Sequence, residues 1–241
     1  MSETIHAIVL RVMRYSDKNS IVHVYSREHG RMSLLLPQGG SKRLVMRNAL
    51  FQPLSTIEFV SKSAPSSDLH SVHEPRLTTN LAALYSHPHK SCIAMFLSEF
   101  LWRSLQEYEA NEALFEFLTA SISLLGDMDS GIANFHLWFL YQLGSFMGVQ
   151  PDVESYHPGY WFDLGGGSFC KYSPASGNVL TPQEAEALMT LSRMTSQNLH
   201  LFRFSREQRN AILDSMLLYY RIHYSTLGSL RSHEVLKQLF D

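Results

Sequence analysis

Residues 37–47 read Pro-Gln-Gly-Gly-Ser-Lys-Arg-Leu-Val-Met-Arg. Gly39 and Gly40 carry no Cβ, so backbone there can pass close to a ligand. Lys42, Arg43 and Arg47 follow within a few residues, and clustered cations suit a phosphate backbone. The chemistry this spacing predicts is electrostatic capture of a polyanion, with no bond made or broken.

Other reactive groupings are absent or incomplete. Gly165-Gly166-Gly167 is not followed by Gly-Lys-Ser/Thr, so it forms no P-loop. There is no Gly-x-Gly-x-x-Gly, His-Glu-x-x-His or Gly-x-Ser-x-Gly. His87-Pro88-His89 pairs two imidazoles around a constraining proline and reads better as a surface loop than as a metal site. Glu99, Glu107, Glu109, Glu112 and Glu116 read as a solvated face. Trp102, Trp138, Phe139 and Tyr141 read as core. No nucleophile stands with a base, so no catalytic residue, no cofactor and no enzyme are expected.

The chain has 241 residues, enough for one domain or two. With 45% hydrophobic and 17% charged residues it can build an ordinary core. No apolar run approaches the roughly 18 residues of a membrane span, and no secretory leader is visible. Cys92 and Cys170 are the only cysteines, which fits a reducing cytoplasm. The net charge of −2 is uneven. Residues 1–76 hold 10 Lys/Arg against 6 Asp/Glu, a balance of +4. Residues 77–202 hold 4 against 12, a balance of −8, and residues 203–241 hold 6 against 4, a balance of +2. Such asymmetry is a hint of an anionic partner for the basic part, although clustering on a solvated surface produces it too.

The cationic stretch lies among elements that read as β structure. Ile5–Tyr15, Ile21–Tyr25, Arg31–Leu36, Leu54–Val60 and a short Leu69–Val72 alternate or are β-branched. Ser16–Ser20, Arg27–Gly30 and Ser61–Ser66 read as turns, and the glycine-basic stretch reads as a loop between strands. Five short strands suggest a small barrel of OB type; an SH3-like or sandwich domain fits the periodicity as well. From residue 77 the pattern is helical. Ile93, Phe96, Leu97, Phe100, Leu101 and Leu105 form one stripe, and Phe135–Met147 is apolar nearly all round. Thr181-Pro182-Gln183-Glu184 and Ser205-Arg206-Glu207-Gln208 are capping patterns that open helices. Ser229–Phe240 reads as the last helix. Residues 152–180, rich in Gly and Pro, read as an irregular insert with short strands at Tyr160–Leu164 and Ser168–Tyr172. The expectation is an α+β chain: a five-stranded OB-fold β-barrel over 1–76, then an α-helical domain over 77–241.

Several segments resemble the bacterial RecO recombination-mediator family. They are Ala7-Ile8-Val9-Leu10-Arg11, Tyr25–Arg31, Gly39-Gly40-Ser41-Lys42 and Leu50-Phe51-Gln52-Pro53-Leu54 in the barrel region. Leu143-Gly144 with Gly148-Val149-Gln150-Pro151-Asp152 follows in mid-chain, and Leu230-Arg231-Ser232-His233-Glu234-Val235-Leu236 near the end. The resemblance implies an N-terminal OB-fold and a helical C-terminal domain without turnover. It also implies binding of single- and double-stranded DNA and annealing of complementary strands. Work with RecR follows from it, to help RecA displace single-strand-binding protein, as does contact with that protein's acidic C-terminal tail. The implied location is the cytoplasm, at the nucleoid, with no membrane partner.

The chain departs from that family at a four-cysteine zinc site that many members carry. By spacing, its positions here are Tyr156, Gly159, Cys170 and Ser173, and one thiol cannot replace four ligands. The expectation is a zinc-less insert held by its own packing through Tyr160, Trp161 and Phe162.

The charge layout assigns Arg14, Arg31, Lys42, Arg43 and Arg47 to phosphates on the barrel face and basic loop. An acidic, apolar-ended tail would want a hydrophobic groove rimmed by cations. Arg203, Arg206, Arg209 and Arg221, near Phe202, Phe204 and Tyr220, are the candidates. Two other readings stay open on the residues: an OB-fold RNA-binding module, and an interaction scaffold whose negative charge keeps it off nucleic acid.

Overall fold

A computed structural model describes residues 2–62, 68–106 and 109–238. The chain divides into two compact units, Met1–Asp127 and Met128–Asp241.

The first unit begins with β1 (Glu3–Arg14), β2 (Asn19–Ser26), β3 (Gly30–Pro37), α1 (Lys42–Asn48), β4 (Thr56–Ser61), β5 (His70–Ser71) and β6 (His73–Leu77). The sheet order is β5-β3-β2-β1-β4-β6. The long β1 pairs antiparallel with both β2 and β4, while β3 pairs parallel with β5 and β4 antiparallel with β6. Only Val72 separates β5 from β6, so one stretch of chain supplies both edge strands, one against β3 and the other against β4, and the sheet curls. The period-two pattern sets its interior. Ile5, Val9, Val22, Val24, Met32, Leu34, Leu36, Ile57 and Phe59 are each at most 4% exposed. Burying one such side chain is worth about 2 kcal/mol.

Local chemistry fixes the turns. Gly30 has φ +64°, which only glycine takes without strain, and it closes the β2–β3 hairpin. The Ser26 hydroxyl donates to the Gly30 carbonyl and accepts from the His29 amide. The β1–β2 register slips between Val9 and Arg11, so Leu10 bulges out of the ladder.

Two features differ from the sequence expectation. Among the described residues the sheet has six strands, because the stretch expected as one short fifth strand splits at Val72 and continues to Leu77. The glycine-basic loop is partly helical: Lys42–Asn48 forms α1, with the Ser41 hydroxyl accepting from the Leu44 amide. Leu44 folds back over Gly39, where a Cβ would lie 2.8 Å from Leu44 Cδ1. Of the turn expected at Ser61–Ser66, residues 63–66 fall outside the described residues.

Three further helices complete this unit: α2 (Ala82–Ser86), α3 (Pro88–Ser104) and α4 (Glu112–Asp127). The Ser98 hydroxyl of α3 donates to the bulged Leu10 carbonyl. Buried Lys90 donates to the Gly126 carbonyl at 2.8 Å, fastening α3 to the end of α4. The change from strand to helix at residue 77 and the break between compact units after Asp127 are thus separate places. Cys92 is buried beside Ile93 and Phe96, and burial pushes its thiol pKa up.

The second unit is built on α5 (Phe135–Phe146), which is buried from Phe135 through Tyr141. A small sheet of order β8-β7-β9 follows, from β7 (Trp161–Asp163), β8 (Ser168–Cys170) and β9 (Val179–Leu180). Then come α6 (Pro182–Ser192), α7 (Arg206–His223) and α8 (Ser232–Lys237). Both capping boxes form, Thr181 with Glu184 and Ser205 with Gln208. The buried Tyr220 hydroxyl donates to the Leu140 carbonyl, joining α7 to α5. The last helix is shorter than expected, and residues 239–241 fall outside the described residues. In the insert, Tyr156 meets Phe169 edge-on at 5.1 Å, Phe169 meets Phe162 at 4.9 Å, and Phe162 meets Tyr219 at 5.7 Å. Of the three aromatics expected to hold it, Phe162 is fully buried and Tyr160 and Trp161 are half-buried.

Candidate nucleic-acid interface

Residues 37–47, the expected site, lie at one end of the curled sheet. The tip of the β1–β2 hairpin is tied by the Tyr15 and Ser16 amides, both donating to the Asn19 carbonyl. The Gln38 amide donates to the Lys18 carbonyl at 2.7 Å, so the tip lies against the end of β3. The helix α1 is fastened to the same place. Arg47 Nη2 donates to the Pro37 carbonyl at 3.1 Å, and Asn48 Nδ2 to the Pro37 carbonyl and to Gln38 Oε1. Hairpin tip, strand end and helix therefore meet, and these segments carry Arg14, Lys18, Lys42, Arg43 and Arg47.

These cations differ in how far they are committed. Lys42 and Arg43 are exposed, α1 contains no acidic residue, and neither cation has an ion pair among the described residues. Arg14 reaches Asp17 at 2.7 Å, but both side chains are largely exposed and such a pair is worth little. Arg47 is half-buried, and burial followed by the nearby Arg43 charge lowers its pKa from the ordinary arginine value. It holds the Pro37 carbonyl, so its first role is to seat the helix. Lys18 was missed by sequence reasoning. In a polar turn cluster it looks like any solvated lysine, and only the Gln38 hydrogen bond shows which end of the sheet it joins.

Arg31 is elsewhere. Its Nη1 donates to the Trp102 and Leu105 carbonyls at 2.9 and 2.7 Å, satisfying the C-terminal end of α3. Beside it, the Arg11 guanidinium lies 3.9 Å from the centre of the Trp102 ring, a cation–π contact. His23 faces the same ring and shares a hydrogen bond with Ser33. Burial, then the Arg31 and Arg11 charges, push the His23 pKa down and keep the ring neutral. Cations on this outer face of β1–β3 are thus engaged in holding α3. Arg31→Met is expected to cost about 1.5 kcal/mol in a urea melt, the worth of hydrogen bonds from a charged donor, with DNA affinity unchanged. A selective loss of DNA affinity at unaltered stability would return Arg31 to the binding surface.

The four arginines assigned to an acidic tail are not brought together as one rim. Arg206 Nε donates to the Lys237 carbonyl, Arg209 Nη1 to that of Phe204, and Arg221 Nε to that of Gly228. Arg206 and Arg221 are 15 residues apart on α7, about 22 Å along its axis. Tyr220 is fully buried and lines no surface. Arg203 is exposed between Phe202 and Phe204, whose rings stack at 6.4 Å. A cleft of about 370 Å³ between α6 and α7 includes Phe204, Ile212 and Ala187. Its carboxylates, Glu184 and Glu186, have the wrong sign for an acidic peptide.

Among the described residues, no group of three or more His, Cys, Asp or Glu is placed to hold a metal ion. No described helix is long and apolar enough to cross a membrane.

Comparison with known proteins assigns both parts of the chain. Residues 1–81 match the family profile described as recombination protein O N terminal, and residues 86–232 match recombination protein O C terminal. The chain is 41% identical to the DNA repair protein RecO of Phocaeicola vulgatus over 97% of each chain. It is 38% identical to that of Porphyromonas gingivalis over 98% of each, and 37% identical to that of Bacteroides fragilis over 97% of each.

Proposed function

The chain belongs to the RecO family of DNA repair and recombination proteins, and from that premise we propose that it is a recombination mediator whose cationic end captures DNA by its phosphates. It binds single- and double-stranded DNA and brings complementary single strands together. With RecR it helps RecA load onto strands coated by single-strand-binding protein. The observation that carries this reading is the meeting of the hairpin tip and α1, with Lys42 and Arg43 exposed and no acid on the helix.

Phosphate contacts position a strand without reading its sequence. A surface built of lysines and arginines therefore takes any sequence alike. Annealing follows from the same charges: cations between two strands reduce their mutual repulsion while the bases stay open to pair. Nothing in this scheme needs a covalent step, and the protein acts without turnover at the nucleoid. The acidic tail of single-strand-binding protein is taken up in the second unit, where Arg203 is an exposed cation beside Phe202 and Phe204.

The test is a pair of measurements. With four or five phosphates neutralised, log affinity for a single strand should fall with log salt at a slope of roughly −3, from about −0.7 per contact. The annealing rate of complementary strands coated with single-strand-binding protein should rise on addition of the protein. A slope near zero, or annealing no faster than the coated strands alone, would end the proposal.

A further inference from the structure

The cationic end is also where apolar side chains are left in water. Tyr15 is 64% exposed, Met13 38%, Val45 56% and Met46 63%. With Val12, these are five of the eleven large hydrophobic residues exposed among the described residues. The sheet register explains part of the pattern. Met13 of β1 lies opposite Ile21 of β2, and Ile21 opposite Leu35 of β3. These three form a row on the outer face, one step along the strands from Arg11, His23 and Ser33. Tyr15 follows directly on the end of β1, two residues beyond Met13, where its amide donates to the Asn19 carbonyl at the hairpin tip. The helix α1 contributes no buried residue, so Val45 and Met46 are not there to fill a core.

Apolar groups among cations are poorly served by water and by a purely anionic ligand alike. The ligand that satisfies both has a charged rail and flat apolar faces that are free to leave one another. A single strand offers that, whereas a duplex hides its base faces in its own stack. Resting on the DNA-binding reading above, we propose that Tyr15 stacks on an unpaired base of a bound single strand. The Met13–Ile21–Leu35 row forms the floor for its neighbour, and Arg14, Lys18, Lys42 and Arg43 hold the adjoining phosphates. The surface then distinguishes single strand from duplex through base faces rather than charge.

The experiment compares two probes with the same phosphates, a 20-nucleotide oligo-dT and a 20-unit abasic strand, by fluorescence anisotropy at one salt concentration. Wild-type protein should bind oligo-dT about tenfold more tightly than the abasic strand, the lower range for one stacked base. Tyr15→Ala should bring that ratio close to one, and Tyr15→Phe should keep it, since the ring and not the hydroxyl stacks. A wild-type ratio of one, or a ratio that Tyr15→Ala leaves intact, overturns the stacking proposal while DNA binding stands. Failure to bind either strand at low salt overturns both.

Discussion

Reversing Lys42 and Arg43 to glutamate should lower affinity for single-stranded DNA by about 60-fold at 50 mM salt. The figure follows from counterion release. Each phosphate contact contributes about 0.7 to the salt slope, so losing two removes about 1.8 decades at that concentration. Repulsion from the new carboxylates adds to the loss. The slope should become shallower by about 1.4, and the drop should be equal for all sequences. The substitutions are not expected to unfold α1, because acids in a first turn are favourable to a helix. Both side chains are exposed and α1 buries no residue in the core. Anisotropy titrations at several salt concentrations measure both quantities. An affinity and slope indistinguishable from wild type would show that DNA does not lie on this surface.

The second large effect concerns acid. His136 lies within α5, is 3% exposed, and has its pKa held down to about 3. Burial is the main cause, and the Arg209 and His233 charges add to it. In the unfolded chain the same ring takes up a proton near pH 6.5. The unfolded state therefore binds more protons between those values, and the stability that His136 contributes is complete above pH 6.5. It declines as pH falls toward 3. Between pH 7 and pH 4 the loss amounts to about 3 kcal/mol. Other groups titrate in the same window, so the quantity to measure is a difference. Urea unfolding, followed through Trp138 and Trp161, should be flatter with pH for His136→Gln than for wild type by about that amount. Parallel curves for the two proteins would exclude the ring as the source.

The parts of the fold that were legible in the sequence are those whose determinants are local. Thr181 with Glu184, and Ser205 with Gln208, announce helix starts because cap and capped amide are three residues apart. Met32, Leu34 and Leu36 announce a half-buried strand by alternation alone. What stayed hidden depends on distant partners. Paired glycines masked α1, whose residues Lys42–Asn48 are acceptable helix formers once Ser41 caps them. Arg31 alternates outward on β3 as a DNA-facing residue should. Its engagement with carbonyls more than 70 residues away had no trace in the local pattern. Lys18 is the opposite case, since its nearness to the end of β3 is set by the Gln38 amide. The arginines expected to meet an acidic tail are near one another in sequence, whereas α7 spreads Arg206, Arg209 and Arg221 along its length and the carbonyls of Lys237, Phe204 and Gly228 accept from them.

The run of rings from Tyr156 through Phe169 and Phe162 to Tyr219 has a consequence for when the protein is needed. Oxidative stress breaks DNA, and the same oxidants attack thiolates and release the ions they ligate. Hydrocarbon edges packed against one another offer no sulfur to that attack. The ring contacts of this corner thus use no sulfur of their own, and the one thiol beside them, Cys170 next to Phe169, donates to the Trp161 carbonyl.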